Sequence, residues 1–555
     1  MKITRLIGGT LILIWTLPAT GLFAQKLAIE STYTITKQAK KGYLDEVKYD
    51  PATKVTMLSF VTRAKSNNKR SKVNYQNYFF DQDYKFIKVE EETEVDYRNK
   101  LYQKHGDEYS VEGISMQNNL VGTFVIKKKL ITYTWDWFFG GYNKKKKLLE
   151  KIKPKDEMGN KYTLVRRWEN DETGDVLAMV AGKGKNATPN EYSFMMIDKS
   201  LNMKLTDVAK FDDPKTIVYS GYMPMATDDD NSGDEEEGEE EEEGGEAEDD
   251  DGNLSNSDIA ILFAASSLGK KADADEHSYI FWRINNNGVI TEKIPLQTKA
   301  SVWDVRQVIY TENSIFLMGP ANEGKYYDQV MSKSNVENKK WKLFQMAKIT
   351  NQKIEYLTTT NLDEFDAKLK TPPSQKKTPS YDGKRIRLAF AKLLPDGAVV
   401  IAGQNYEWVT QNKVRRRSYR DPIMFHFDNQ GVLLSQYGVR REENQKSATY
   451  APTGMWGSIG KGCFYWTIYE MNGFADEKEG DRKITRVLLY PSVARIDAKT
   501  GEIGDFVQFG LVKDKPTYYL HRRHAILPIK DDNAIVYLGT DKPGKVLWFG
   551  KVVLE

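Results

Sequence analysis

One kind of segment recurs along the chain: a short run of aliphatic, β-branched and aromatic residues, ending in most copies on a small residue. VTMLSF (55–60), LITYTW (130–135), VLAMVAG (176–182), IAILFAA (259–265), SIFLMG (314–319), AVVIAG (398–403), CFYWTI (463–468) and AIVYLG (534–539) are eight such runs. Each is too short and too evenly apolar for an amphipathic helix, and each is bounded by turn formers, which is how strands read. A variable loop follows each run, then a second strand-like segment, often with a third across a polar turn. Asn285-Asn286-Asn287-Gly288, Asp428-Asn429-Gln430-Gly431 and Asp497 to Gly501 are such turns. Asn, Asp and Gly tolerate the left-handed backbone that tight hairpins need. No unit of this kind can bury its apolar faces alone, so the units must pack on one another.

The runs begin 46 to 84 residues apart, the longest intervals holding insertions. Strand-turn-strand units of this size resemble the four-stranded blades of β-propeller repeat proteins. The resemblance implies an all-β fold: a single β-propeller of seven or eight blades over residues 25–555. Two packed β domains are the alternative. KLAIESTYTI (26–35) is the natural strand to close the ring beside the C-terminal KVLWFGKVVLE, because pairing of the termini removes an open edge. The pattern carries no family signature: no GH…WD pair, no kelch Gly-Gly doublet, no Asp-box. ARIDAKTGEI (494–503) is similar to the turn of quinoprotein blades, but it occurs once and lacks the following Trp, so no quinone or other organic cofactor is expected.

The N-terminus carries Lys2 and Arg5, an apolar stretch from Leu6 to Leu17, Pro18, and an Ala24-Gln25 junction. That is the layout of a signal peptide over 1–24, since about a dozen apolar residues fall short of the roughly 20 that span a bilayer. The expectation is a periplasmic or secreted protein with no transmembrane anchor after cleavage. The single cysteine, Cys463, lies inside an apolar run. It reads as a buried small side chain rather than a disulfide partner, metal ligand or nucleophile.

Residues 228–252, DDDNSGDEEEGEEEEEGGEAEDDDG, hold seventeen carboxylates and no base. They interrupt a strand pair, TIVYSGYMPM (216–225) and LSNSDIAILFAA (254–265), so they read as a loop insertion. Like charges with no apolar residues to bury predict disorder. The whole chain has 81 Lys and Arg against 78 Asp and Glu; without the run's seventeen acids and the leader's two bases, 79 remain against 61. The body is therefore cationic. Three roles fit the run: a solvating insertion, a weak Ca²⁺ collector through Asp228, Asp229, Asp230, Asp249, Asp250 and Asp251, or an electrostatic gate over a basic face.

Two stretches combine aromatics or extended chain with dense positive charge. WDWFFGGYNKKKK (135–147) offers Trp135, Trp137, Lys144 and Lys145, and VTQNKVRRRSYR (409–420) offers Arg415, Arg416 and Arg417 on a long loop. Aromatic faces stack on sugars and cations hold anionic groups, so these are the ligand-binding candidates. For an exported protein this points to an anionic glycan or a protein partner and not to nucleic acid. No nucleophile elbow, zinc motif, phosphate loop or dinucleotide fingerprint is present, and the five histidines form no ligand set. The expected function is non-catalytic binding or scaffolding on a propeller face. The alternative is a carbohydrate-active hydrolase or lyase with carboxylates in a central funnel.

Overall fold

The computed structural model describes residues 26–67, 70–95, 107–113, 124–136, 141–155, 159–170, 173–181, 190–223, 257–266, 278–298, 300, 302–311, 313–323, 326–327, 340–411, 414–440, 452–479 and 482–555. The fold is all-β. Strands assemble into antiparallel up-and-down sheets, most of them four-stranded, in chain order: residues 43–95, 107–152, 163–210, 215–297, 302–361, 385–438, 455–508 and 518–553. We number them first to eighth. The eighth sheet takes a further strand from the N-terminal side of the chain: Ile29–Thr34 pairs with Val546–Val553 from Ile29 opposite Lys551 to Thr34 opposite Val546.

Each apolar run of the sequence is the second strand of its sheet. Val176–Ala181 is buried at every position, and Asp258–Ala265, Ser314–Asn322 and Ala534–Asp541 at nearly every one. A second strand has neighbours on both edges and a packed sheet on both faces. It therefore reads as an unbroken apolar run and not as alternation. The repeat unit thus starts one strand earlier than the runs suggest. First strands escape notice because they are half-exposed, as in Lys215–Met223 and Arg385–Leu393.

The small residue that ends many runs has a definite job. A side chain on Gly319 would place its Cβ 2.0 Å from the carbonyl oxygen of Asp304, one on Gly403 2.6 Å from that of Arg387, and one on Gly539 2.6 Å from that of Tyr519. In each case the intruding backbone belongs to the first strand of the same sheet. First strands bulge near this level, at Asp45, Val165, Val218, Ala389 and the 304–306 segment, and a bulge re-aims the side chains beside it.

The polar turns are also docking points. Asn285, Asp428 and Asp497 accept backbone N–H bonds from the residues of their own turns. The glycines that finish these turns, Gly288, Gly431 and Gly501, have φ of 75°, 73° and 68°. Their carbonyls accept hydroxyls from the outer strand of the preceding sheet: Thr206 at 2.9 Å, Thr358 at 2.7 Å and Tyr437 at 2.8 Å. The same contact at three sheet boundaries means that these neighbours are related by the same rotation, so equivalent connections emerge on the same face. Apolar cores fill the interfaces from the second sheet through to the eighth, and another joins the eighth to the first, where Tyr84 stacks on Phe549 at 5.0 Å.

Candidate functional site

In an up-and-down sheet, successive connections alternate between the two ends. The polar docking turns and the connection holding residues 228–252 share one face. The connections between second and third strands share the other. On that second face, four sheets project long hairpins. Their second and third strands run 11 to 17 residues in the first, second, sixth and seventh sheets, against six to nine in the rest.

The sequence candidates fall on these hairpins. Trp135 lies opposite Tyr142, Lys144 opposite Tyr133, and Lys145 opposite Thr132, near the tip of the second sheet's hairpin. Trp137 and the Ca²⁺ candidates Asp228, Asp229, Asp230, Asp249, Asp250 and Asp251 lie outside the described residues. Arg415, Arg416 and Arg417 are in the strand Val414–Phe427, opposite Thr410, Val409 and Trp408, and not on a loop. The segment extends as paired strand because its β-branched and aromatic residues, Tyr406, Trp408, Val409 and Thr410, favour a pleated surface. Arg417 stacks over the rings of Tyr406 and Trp408, 5.6 and 5.5 Å from their centroids. At the foot of the hairpin Glu407 takes Lys384 at 2.8 Å and Arg420 at 2.7 Å. Those hydrogen bonds hold its carboxyl below the usual range. The structure does not bring the tryptophan–lysine group and the arginine group together. They share a face but sit on the second and sixth sheets.

A second convergence has no counterpart among the sequence candidates. In the fifth sheet the first strand breaks between Trp303 and Gln307. Asp304 N–H donates to Pro320 O at 2.9 Å and Arg306 N–H to Met318 O at 3.0 Å, so the chain bows over Gly319 and sets both side chains on one side. Arg306 Nε and Nη2 both donate to Asp304 Oδ2, at 2.7 and 2.6 Å. The Asp304 side chain is 10% exposed, while Arg306 keeps 37% of its side chain in solvent. Three phenols, Tyr327, Tyr381 and Tyr406, lie within the electrostatic field of this pair. Arg166, from the bulged first strand of the third sheet, also acts on Tyr327, and its Nε donates to Ser220 Oγ at 3.1 Å. Burial pushes the Tyr327 and Tyr381 phenols well above their ordinary value despite the cations. The sequence held one usable signal: Asp-x-Arg just ahead of a run ending in Gly-Pro.

Other titratable groups are accounted for within the fold. His521 Nδ1 accepts from the backbone N–H groups of Arg523 and His524, both at 3.3 Å. Burial, then the cations around it, pushes its imidazole down to about 3. His426 is completely buried, and neither ring nitrogen has a partner among the described residues. Cys463 is buried and donates its S–H to Glu555 O at 2.8 Å. A cavity of about 80 Å³ between the eighth and first sheets is lined mainly by apolar residues and is remote from the Asp304–Arg306 pair. Among the described residues no group of three or more His, Cys, Asp or Glu is placed to hold a metal, and no helix is long and apolar enough to cross a membrane.

No protein-family model matches the chain, and no curated protein matches it. Solved structures that align over most of its length include the WD40 domain of SCAP from fission yeast, with 8% identity over 95% of this chain and 98% of that one and a TM-score of 0.26. The Dos1 propeller aligns with 9% identity over 95% of each chain, also at 0.26. An apocarotenoid oxygenase from Synechocystis aligns with 9% identity over 95% of this chain and 94% of that one, again at 0.26. Likenesses at this level carry no functional information.

Proposed function

We propose that the chain is a single eight-bladed β-propeller, exported, and closed by the pairing of Ile29–Thr34 with Val546–Val553. We propose further that it binds an anionic polysaccharide without transforming it, across the face that carries the long hairpins. The eight successive sheets, their rotationally repeated turn contacts and the core joining the eighth to the first support the ring. The observation that carries the binding role is the charge of the projecting hairpins. Residues 63–72 contain five bases and no acid, residues 127–147 seven bases and one acid, and residues 407–420 five bases and one acid. The fourth hairpin is mixed, with four bases and five acids over 470–486. In ring order the sixth, seventh, eighth, first and second sheets form one arc. The cationic hairpins then stand as spaced posts, a layout suited to an extended polyanion rather than to a compact ligand.

Two features weigh against the hydrolase or lyase reading. Glycoside hydrolysis ordinarily uses a pair of carboxylates; of the two that act on Tyr381, Asp304 is tied up in the ion pair with Arg306 and Asp382 in one with Lys384. A lyase needs a base, and the Tyr327 and Tyr381 phenols are pushed away from the range in which a phenolate forms near neutrality.

The test is binding of polygalacturonate and of a sulfated polysaccharide at low salt, with neutral dextran as control. Replacing Arg415 and Arg416 by Gln, and separately Lys144 to Lys147 by Gln, should each weaken binding severalfold, and affinity should fall steeply with salt because exposed charge is screened. Equal affinity of the two charge-neutralised variants and the parent would refute the proposal.

A further inference from the structure

We infer that the Asp304–Arg306 bulge is a second binding site, for a small hydroxylated carboxylate of the sugar-acid class. It is independent of the hairpin face. Arg306 spends Nε and Nη2 on a single oxygen, Asp304 Oδ2. Nη1 of Arg306 and Oδ1 of Asp304 have no other partner among the described residues. A guanidinium with an open edge matches a carboxylate, and the open carboxylate oxygen beside it matches a hydroxyl donor. The two recognition elements therefore sit side by side, fixed by one salt bridge and by a backbone bulge that only a residue without a side chain at 319 permits. Arg166 brings a second cation from the third sheet, and both arginines act electrostatically on Tyr327.

Solvent access to a rigidly held pair makes this a site and not a structural ion pair alone. More than a third of the Arg306 side chain touches solvent, while the Asp304 side chain that fixes it is 10% exposed. The Tyr381 hydroxyl, 3% exposed at the residue level, has no partner among the described residues although it lies in the field of both Asp304 and Arg306. Buried polar groups are normally satisfied, so this hydroxyl is a polar atom whose bonding the fold leaves open. A phosphate would use the arginines but leave Asp304 facing like charge, whereas a sugar acid uses both.

Isothermal titration of the full protein with D-glucuronate, D-glucose and inorganic phosphate tests this. Glucuronate should saturate a single site, with glucose and phosphate each at least about tenfold weaker, a difference of about 1.4 kcal/mol. The Asp304→Asn/Arg306→Gln double variant keeps a polar pair without charge and should lose glucuronate binding at least tenfold. Arg166→Gln, at an exposed position, should weaken it severalfold and decides the matter if the double variant does not fold. Replacing Arg415 and Arg416, or Lys144 to Lys147, by Gln should leave glucuronate binding untouched, which separates failure here from failure of the polysaccharide reading. Absence of glucuronate binding, phosphate binding as tightly as glucuronate, or unchanged affinity in the folded variants would overturn the inference.

Discussion

His426 offers the sharpest test of the packed interior. It lies in the sixth sheet between Phe425 and Phe427, fully buried, with both ring nitrogens unpartnered among the described residues. Leaving buried polar atoms unsatisfied costs about 1–3 kcal/mol. Replacing His426 by Leu, similar in size and without polar atoms, should therefore raise stability at pH 8 by about 1–2 kcal/mol once imperfect packing is allowed for. Acid adds a second contribution. Burial depresses the native imidazole below its ordinary 6.5, although Asp396, Asp428 and Asp497 pull the other way. The unfolded chain then binds the proton more readily than the native one. The stability present above pH 6.5 is lost as the pH falls below it, at up to about 1.4 kcal/mol per pH unit. By pH 5 that amounts to at most about 2 kcal/mol for this residue. Urea unfolding midpoints of parent and His426→Leu at pH 8 and pH 5 measure both effects: the variant should be more stable at pH 8, and its advantage should widen at pH 5. A variant that is less stable at pH 8, or that loses as much as the parent between the two pH values, would show that His426 is satisfied and not buried as a lone neutral ring.

Further outcomes follow from the same structure. His521, held down to about 3, should extend the acid sensitivity below pH 5. His521→Gln should flatten the remaining slope between about pH 6.5 and 3, by less than the full linkage value because the ring is partly solvated. Gly319→Ala forces a Cβ to within 2.0 Å of Asp304 O, and should cost about 1–3 kcal/mol in urea unfolding while abolishing glucuronate binding. Deleting residues 26–35 removes the strand paired to Val546–Val553 and the Glu30 acceptor of Trp548 Nε1. It should lower the melting temperature and produce concentration-dependent aggregation through the bared edge, visible by light scattering.

The parts legible in the sequence were those set by local chemistry. The eight apolar runs named eight second strands because a strand covered on both faces has no polar positions to disguise it. The Asn- and Asp-led turns were legible because the left-handed glycine has few alternatives. First strands were not, since partial exposure and a bulge break both alternation and continuity. The stretch 409–420 read as a loop because three successive arginines suppress strand signals, yet Arg417 stacks on Tyr406 and Trp408 across the strand pair. The Arg306 convergence was illegible for a different reason: the charges and phenols that act on one another there, at 166, 304, 306, 327, 381 and 406, come from distant parts of the chain, and no short-range pattern encodes that.

The placement of the acidic run bears on its role. Residues 224–257 connect Lys215–Met223 to Asp258–Ala265, and Met223 pairs directly with Asp258. A 34-residue connector anchored at adjacent points reaches no farther than half its contour, about 58 Å when fully extended. The arginines at 415–417 stand on the opposite face, near the tip of a strand of 14 residues, which is about 46 Å long. They also belong to a different sector, the sixth sheet against the fourth. Reaching them would demand near-complete extension, with the entropy loss that brings. Intramolecular shielding of the cationic hairpins is therefore disfavoured. Deletion of residues 228–252 should leave the affinity for polygalacturonate at low salt within about twofold of the parent, a difference of about 0.4 kcal/mol, and should leave the melting temperature unchanged because the flanking strands pair without it. A tenfold gain in affinity on deletion, mimicked by Asp/Glu→Asn/Gln neutralisation and erased by salt, would restore the gate and refute the reach argument.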